Sequence, residues 1–215
     1  MFKDRGDAGV QLAHRLKEYK DQKGVLVLAL PRGGVVTGYE IASHLNVPLD
    51  ILIVRKIGFP GQPELGIGAV SETGTVVLNE SIISTYGVPT DYVESGISKQ
   101  KDEILRRVKL YRKGKRLPDL QGKTVILVDD GVATGATIKA AIATLKEEKL
   151  NKLIVALPVG HPDVVNEIEQ MVDEFICIET PVDFMAVGAY YYDFTQISDE
   201  EVIELLYRSS GNLPV

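Results

Sequence analysis

Three short apolar runs punctuate the chain: Val25–Leu30 (VLVLAL), Thr124–Val128 (TVILV) and Leu153–Leu157 (LIVAL). Each is continuous rather than alternating, which predicts strands buried on both faces, as in a parallel sheet. Leu49–Val54 and Glu174–Ile178 add two weaker runs. Helical periodicity follows the strands, at Val35–Leu45, Thr137–Lys149 and Asp163–Val172. Strand alternating with helix is the signature of βαβ units, so the expected fold class is α/β, a doubly wound and mainly parallel sheet.

The remaining pattern decorates that sheet. Residues 5–20 place Val10, Leu12, Ala13, Leu16 and Tyr19 on one face of an N-terminal helix. Gly66–Asn79 reads as a hairpin turned at Glu72–Gly74. Pro89-Thr90-Asp91 opens a helix running to about Arg112, with Thr90 or Asp91 as its N-cap. After Pro181 the chain is irregular and aromatic, until Ser198 and Glu201 form a capping-box spacing for a last helix. The chain is thus expected to be a single domain over residues 1–215. Within it, 60–120 is a hairpin and lid-like insertion and 180–215 a C-terminal hood and helix.

Composition narrows the classes. Of 215 residues 45% are hydrophobic and 25% charged, too apolar for disorder. No run approaches the roughly 18 apolar residues of a membrane span. A single cysteine, Cys177, excludes an internal disulfide framework and fits a reducing cytoplasm. The net charge of −6 disfavours a nucleic-acid partner. It is nevertheless uneven: Lys99–Arg116 carries nine basic and two acidic residues, net +7, leaving −13 elsewhere. That stretch reads as a solvated helix with Ile104, Leu105, Val108 and Tyr111 inward, as a mobile cationic lid, or as an RNA contact.

The chemistry concentrates in Val125–Thr137, VILVDDGVATGAT. A buried strand ends in two adjacent carboxylates, Asp129 and Asp130, and a small-residue loop leads into a helix. Ligands of open α/β sheets bind at this end of the strands. Gly131, Val132, Ala133, Thr134, Gly135, Ala136 and Thr137 offer backbone N–H groups, two hydroxyls and a helix N-terminus to an anion. Two acids face hydroxyls or a cation better than they face phosphate, so a sugar phosphate satisfies both halves. A nucleoside-triphosphate loop, GxxxxGK[ST], is absent from the sequence.

This segment resembles the phosphoribosyl-diphosphate (PRPP) motif of type I phosphoribosyltransferases: four apolar residues, two acids, and a loop ending Thr134-Gly135-Ala136-Thr137. The resemblance implies that Asp129 and Asp130 bind the ribose hydroxyls and act as the catalytic acids, and that residues 131–137 cradle the 5-phosphate. Leu30-Pro31-Arg32-Gly33-Gly34 is similar to the family's diphosphate loop, implying that Arg32, Gly33 and Gly34 meet the diphosphate. Arg55 and Lys56, read as ending the next strand on the same rim, are implied there too. Thr180–Phe194 resembles the purine-recognition tail in Phe184, Val187 and Asp193, which are implied to hold the acceptor. Gly131 stands where the family usually has an aliphatic residue. Ala133 stands where 6-oxopurine enzymes carry an acid.

The implied activity is transfer of ribosyl 5-phosphate from PRPP to a nucleobase-like acceptor, with release of pyrophosphate. The implied cofactor is Mg²⁺, held mainly through PRPP and by Asp129 and Asp130. The partners implied are PRPP, a small-molecule base and a second copy in a homodimer. The alternative is a non-catalytic sensor of PRPP or a nucleotide on the same fold. No nucleophile stands out: Cys177 lies in the apolar FICI, and His161 in PVGHPD reads as a loop residue before a helix.

Overall fold

Burial of the apolar runs sets the architecture of the computed structural model, which describes residues 1–211. In chain order the elements are α1 (Arg5–Arg15), β1 (Val25–Ala29), α2 (Gly33–Leu45), β2 (Leu49–Ile51), β3 (Val54–Phe59), β4 (Gln62–Ser71), β5 (Val76–Leu78), α3 (Glu80–Thr85) and α4 (Thr90–Arg112). There follow β6 (Thr124–Val128), α5 (Ala136–Lys146), β7 (Lys152–Val159), α6 (Pro162–Glu169), β8 (Glu174–Glu179) and α7 (Asp199–Ser209). They form two compact units. The first holds Met1–Ile51, Asp119–Gly135 and the described residues from Glu148; the second holds Leu52–Pro118 and Ala136–Glu147. The last four residues of the expected 180–215 stretch lie outside the described residues.

The first unit is a five-stranded sheet in the order β2-β1-β6-β7-β8, every pair parallel. Alternate residues of the apolar runs (Val25 and Val27, Ile126 and Val128, Ile154 and Ala156) form one core with Leu12 of α1, Leu16 just after it, and Ile41 and Leu45 of α2. The intervening residues Leu26, Val125, Leu127 and Val155 are also buried, so the strands are covered on both faces, as unbroken apolar runs require. Strand order reverses between β1 and β6. That switch point leaves a crevice at the strands' C-terminal ends, where neighbouring connections depart in opposite directions.

The second unit is an antiparallel sheet, β3-β4-β5, with α4 and α5 packed on β3 and β4. The expected turn at Glu72–Gly74 is present, closed by the Ser71 N–H donating to the Thr75 carbonyl at 2.9 Å. The Glu72 carboxylate caps the Ile53 N–H at 2.8 Å and pairs with Arg112 at the end of α4, both groups almost wholly buried.

Three expectations are corrected. The run Leu49–Val54 is not one strand: Leu52 and Ile53 break it, β2 stays in the parallel sheet, and β3 starts the antiparallel one. An apolar run carries no mark of which sheet its halves join. The N-cap of α4 is Pro89, with no side-chain cap bond. Its fixed φ suits the start of a helix, and Asp91 bonds the Tyr92 N–H instead. Leu105 is 67% exposed, whereas Ile104 and Tyr111 are buried. The capping box of Ser198 and Glu201 forms as spaced.

Candidate functional site

The crevice is built by the ends of β1 and β6. The Leu30 N–H donates to the Val128 carbonyl at 2.9 Å, locking the two strand ends together. Beyond β1, α2 begins at Gly33 with no side-chain cap, so its first N–H groups and its positive dipole end point into the crevice. Beyond β6, Asp129 and Asp130 meet this helix start closely. A Cβ on Gly33 would lie 1.9 Å from Asp130 Oδ2, and one on Gly34 would lie 2.9 Å from Asp129 Cα. Glycine at both positions is therefore a packing requirement of the acid pair.

The two acids differ. The Asp129 Oδ1 accepts the Asp130 N–H at 2.9 Å. Burial, and then the neighbouring Asp130 carboxylate, push Asp129 well above the usual carboxylate range. Asp130 carries an ion pair: Arg5 Nε donates to its Oδ2 at 2.7 Å. Arg5, 8% exposed, also donates from Nη1 to the Thr195 carbonyl at 2.8 Å and lies 3.8 Å over the Phe194 ring. The Tyr191 hydroxyl donates to the Asp130 carbonyl at 2.6 Å. Burial and the acid pair raise its pKa, so it remains a donor.

The loop after the acids is tied to β7. The Val132 N–H donates to Val159 at 2.9 Å and the Val132 carbonyl accepts from His161 N–H at 3.0 Å. Gly131, at φ 149°, has Val187 Cγ1 2.6 Å and Val159 Cγ1 3.0 Å from where a Cβ would stand. That explains the departure from an aliphatic residue: the space is already filled by two valines. Thr134 and Gly135, the latter at φ 74°, complete the loop in the first unit, and Ala136 and Thr137 open α5 in the second.

The predicted acceptor residues lie on the aromatic stretch after β8. Phe184 stacks on Tyr190 with centroids 5.6 Å apart, and the His161 ring meets its edge at 5.7 Å. Val187 packs with Phe2, Tyr191 and Phe194. Asp193 turns its carboxylate to Thr195, accepting from N–H at 2.9 Å and from the hydroxyl at 2.6 Å, which holds its pKa low. It lines a cleft of about 470 Å³ with Asp4, Arg5, Thr195 and Glu201. Arg32 faces Asp199 at 3.9 Å.

Arg55 and Lys56 are placed otherwise than expected. They sit inside β3, paired with Val70 and Ala69 of β4, not at the end of a parallel strand. The Arg55 Nε donates to Gln100 of α4 at 3.2 Å, and burial followed by the charge of Arg107 lowers its pKa. In the Lys99–Arg116 stretch, Glu103 holds Arg106 and Arg107, each at 2.8 Å, and they draw its pKa to about 2. Cys177 is held as a thiol, its pKa pushed up to about 12 by burial. His161 caps α6, accepting the Asp163 N–H at 3.3 Å.

The motif points to neither Arg5 nor Tyr191, although both meet Asp130. Nothing local distinguishes either one. Arg5 lies 125 positions from its partner and is one of 24 basic residues, and Tyr191 is one of three consecutive tyrosines.

The α/β fold with its parallel central sheet is that of the type I phosphoribosyltransferases. The chain belongs to the family of the phosphoribosyl transferase domain, whose family model matches residues 4–194. It is 44% identical over 209 residues to two Mycobacterium tuberculosis proteins, "Putative phosphoribosyl transferase MT0597" (strain CDC 1551 / Oshkosh) and "Putative phosphoribosyl transferase Rv0571c" (strain ATCC 25618 / H37Rv). The match covers 97% of this chain and 47% of each relative, so the chain spans about half the length of those curated relatives. The crystal structure of TT1426 from Thermus thermophilus is similar at 39% identity, with a TM-score of 0.83 over 97% of this chain and 98% of that one. AQ2163 from Aquifex aeolicus shares the fold at 13% identity, with a TM-score of 0.50 over 80% of this chain and 71% of that one. No helix among the described residues is long and apolar enough to cross a membrane.

Proposed function

We propose that this chain binds PRPP in the β1–β6 crevice and transfers its ribosyl 5-phosphate to a nucleobase-like acceptor, releasing pyrophosphate. The observation that carries the reading is the fit of Asp129 and Asp130 against Gly33 and Gly34 at the switch point. It puts hydroxyl-binding acids beside anion-binding N–H groups, the two chemistries that a sugar bearing phosphates demands. In this reading Asp129 and Asp130 take the ribose hydroxyls. Residues 131–137 take the 5-phosphate, and Arg32, Gly33 and Gly34 the diphosphate. Phe184 and Val187 offer apolar surface to a planar acceptor, and Asp193 offers an acceptor for ring N–H groups.

The reaction breaks the C1–O bond to the diphosphate and forms a C1–N bond to the base. Positive charge developing at C1 is favoured by carboxylates fixed nearby, so positioning and electrostatics do most of the work. Mg²⁺ fits as a passenger of the substrate. Among the described residues no cluster of three or more His, Cys, Asp or Glu could hold a metal, and Mg²⁺ commonly keeps waters and phosphate oxygens while taking only one or two carboxylates. Asp129 and Asp130 are the groups that would contact it, and the ion would supply neutralisation of diphosphate charge. Ala133 supplies no proton donor from the loop, which leaves room for a non-catalytic, PRPP-sensing role.

The test is a panel of bases with PRPP and Mg²⁺, followed by pyrophosphate release, beside calorimetric titration with PRPP. Turnover with one base supports the enzyme; binding without turnover of any base selects the sensor. Absence of PRPP binding, or binding unchanged in Asp129→Asn/Asp130→Asn, refutes the site.

A further inference from the structure

The residue least explained by the family pattern is Arg5. It is a guanidinium from the first helix, buried to 8% exposure, at a position where nothing in the motif calls for charge. Its Nε lies 2.8 Å from where a Cβ of Gly33 would stand, and Asp130 Oδ2 lies 1.9 Å from the same point. Arg5 is therefore inside the crevice, wedged between the start of α2 and the end of β6. Three contacts determine its pose: Asp130 through Nε, the Thr195 carbonyl through Nη1, and the Phe194 ring beneath the guanidinium. Thr37 of α2 also reaches the Arg5 carbonyl, at 3.4 Å.

Burying a cation this deeply is costly unless it is paired and hydrogen-bonded. Here the pairing is with a proposed substrate-binding acid rather than with a structural one. Asp130 is also held from its backbone side by Tyr191, which packs on Phe2 and Phe194. The carboxylate thus has one oxygen committed to Arg5, which orients the other. The fork geometry of guanidinium matters, because one head must serve a carboxylate and a carbonyl at once.

We infer that Arg5 is a positioning residue: it holds the Asp130 carboxylate in the orientation that receives the ribose hydroxyls, and ties that orientation to the chain at Phe194–Thr195. The inference rests on the reading of the crevice as a PRPP site and adds to it a residue from outside the motif.

The experiment is a double-mutant cycle on PRPP affinity with the full chain, using Arg5→Met, Arg5→Lys, Asp130→Asn and the Arg5→Met/Asp130→Asn pair, with thermal unfolding recorded for each. Arg5→Met is expected to weaken PRPP binding by about tenfold or more, and by less than about twofold when Asp130 is already Asn, since residues acting through one contact are not additive. Arg5→Lys keeps the charge but loses the fork, so an intermediate loss of about threefold is expected. It also carries the test if Arg5→Met does not fold. Wild-type affinity in a folded Arg5 variant overturns the inference, as does the same loss on both backgrounds, since that means Arg5 acts without Asp130. Failure of the wild-type chain to bind PRPP overturns the crevice reading and this inference with it, whereas binding that Arg5 does not influence overturns the inference alone.

Discussion

Gly33 and Asp130 are fitted at a spacing that admits no methyl group. Alanine at 33 has to push aside either the carboxylate or Arg5. Gly33→Ala is therefore expected to weaken PRPP binding by about tenfold or more, ~1.4 kcal/mol, in a calorimetric titration. Asp129 shows the same site from the side of stability. Its pKa is raised by burial and by Asp130, so in the native state the charged form is disfavoured relative to the unfolded chain. The sign follows from linkage: the cost is absent below the unfolded value of about 4 and grows as pH rises through it. Asp129→Asn should then raise the unfolding midpoint at pH 7, with the gain shrinking as pH falls toward about 4 and absent below it, while PRPP binding is lost. An unchanged or lowered midpoint at pH 7 contradicts this. Cys177, held as a thiol up to about 12, should resist alkylation at pH 8 until the chain unfolds.

At the scale of elements, a buried pair ties the β4–β5 turn of the second unit to α4. Glu72 joins the β4–β5 turn to Ile53 by a hydrogen bond and to the last residue of α4 by charge. Truncating one partner leaves the other charge buried, so Glu72→Ala should cost about 3–5 kcal/mol in denaturant unfolding. By contrast, the exposed end of α7 has a simple cap, and Ser198→Ala should cost about 1 kcal/mol. Elements were legible where their signals are local. The capping box, the hairpin turn and the three strong strands rest on periodicity or on spacing within four residues. The division of Leu49–Val54 was not legible, because Ile51 and Val54 are equally good strand formers and only pairing partners separate them. Leu105 is exposed because it lies about 100° around the helix from Ile104, whereas Tyr111, seven positions after Ile104, returns to the buried face; apolar identity alone does not mark that edge.

At the scale of the molecule, strand order makes the site. Placing β1 beside β6 brings together segments nearly a hundred residues apart, and the crevice exists only because connections diverge between them. A ligand bound there contacts both strand ends and the start of α2. PRPP at about a hundredfold above its dissociation constant should accordingly stabilise the fold by about 2.7 kcal/mol, seen as a rise in unfolding midpoint. No rise at saturating PRPP with Mg²⁺ counts against the proposed ligand.

The sequence by itself determined the groups that lie along a continuous stretch. The acid pair after a buried strand, the small-residue loop, and the glycines before α2 are all local, because strand burial and loop conformation are written in neighbouring residues. Tertiary structure alone decided what crosses the chain. It set Arg5 on Asp130, Tyr191 on the same residue's carbonyl, and Val187 in the space that Gly131 leaves. It also set Arg55 and Lys56 within β3, an edge strand of the other sheet, rather than at the end of a parallel strand. The physical reason is that an ion pair or a close packing contact depends on distance in space, and a single sequence carries no periodicity that reports it.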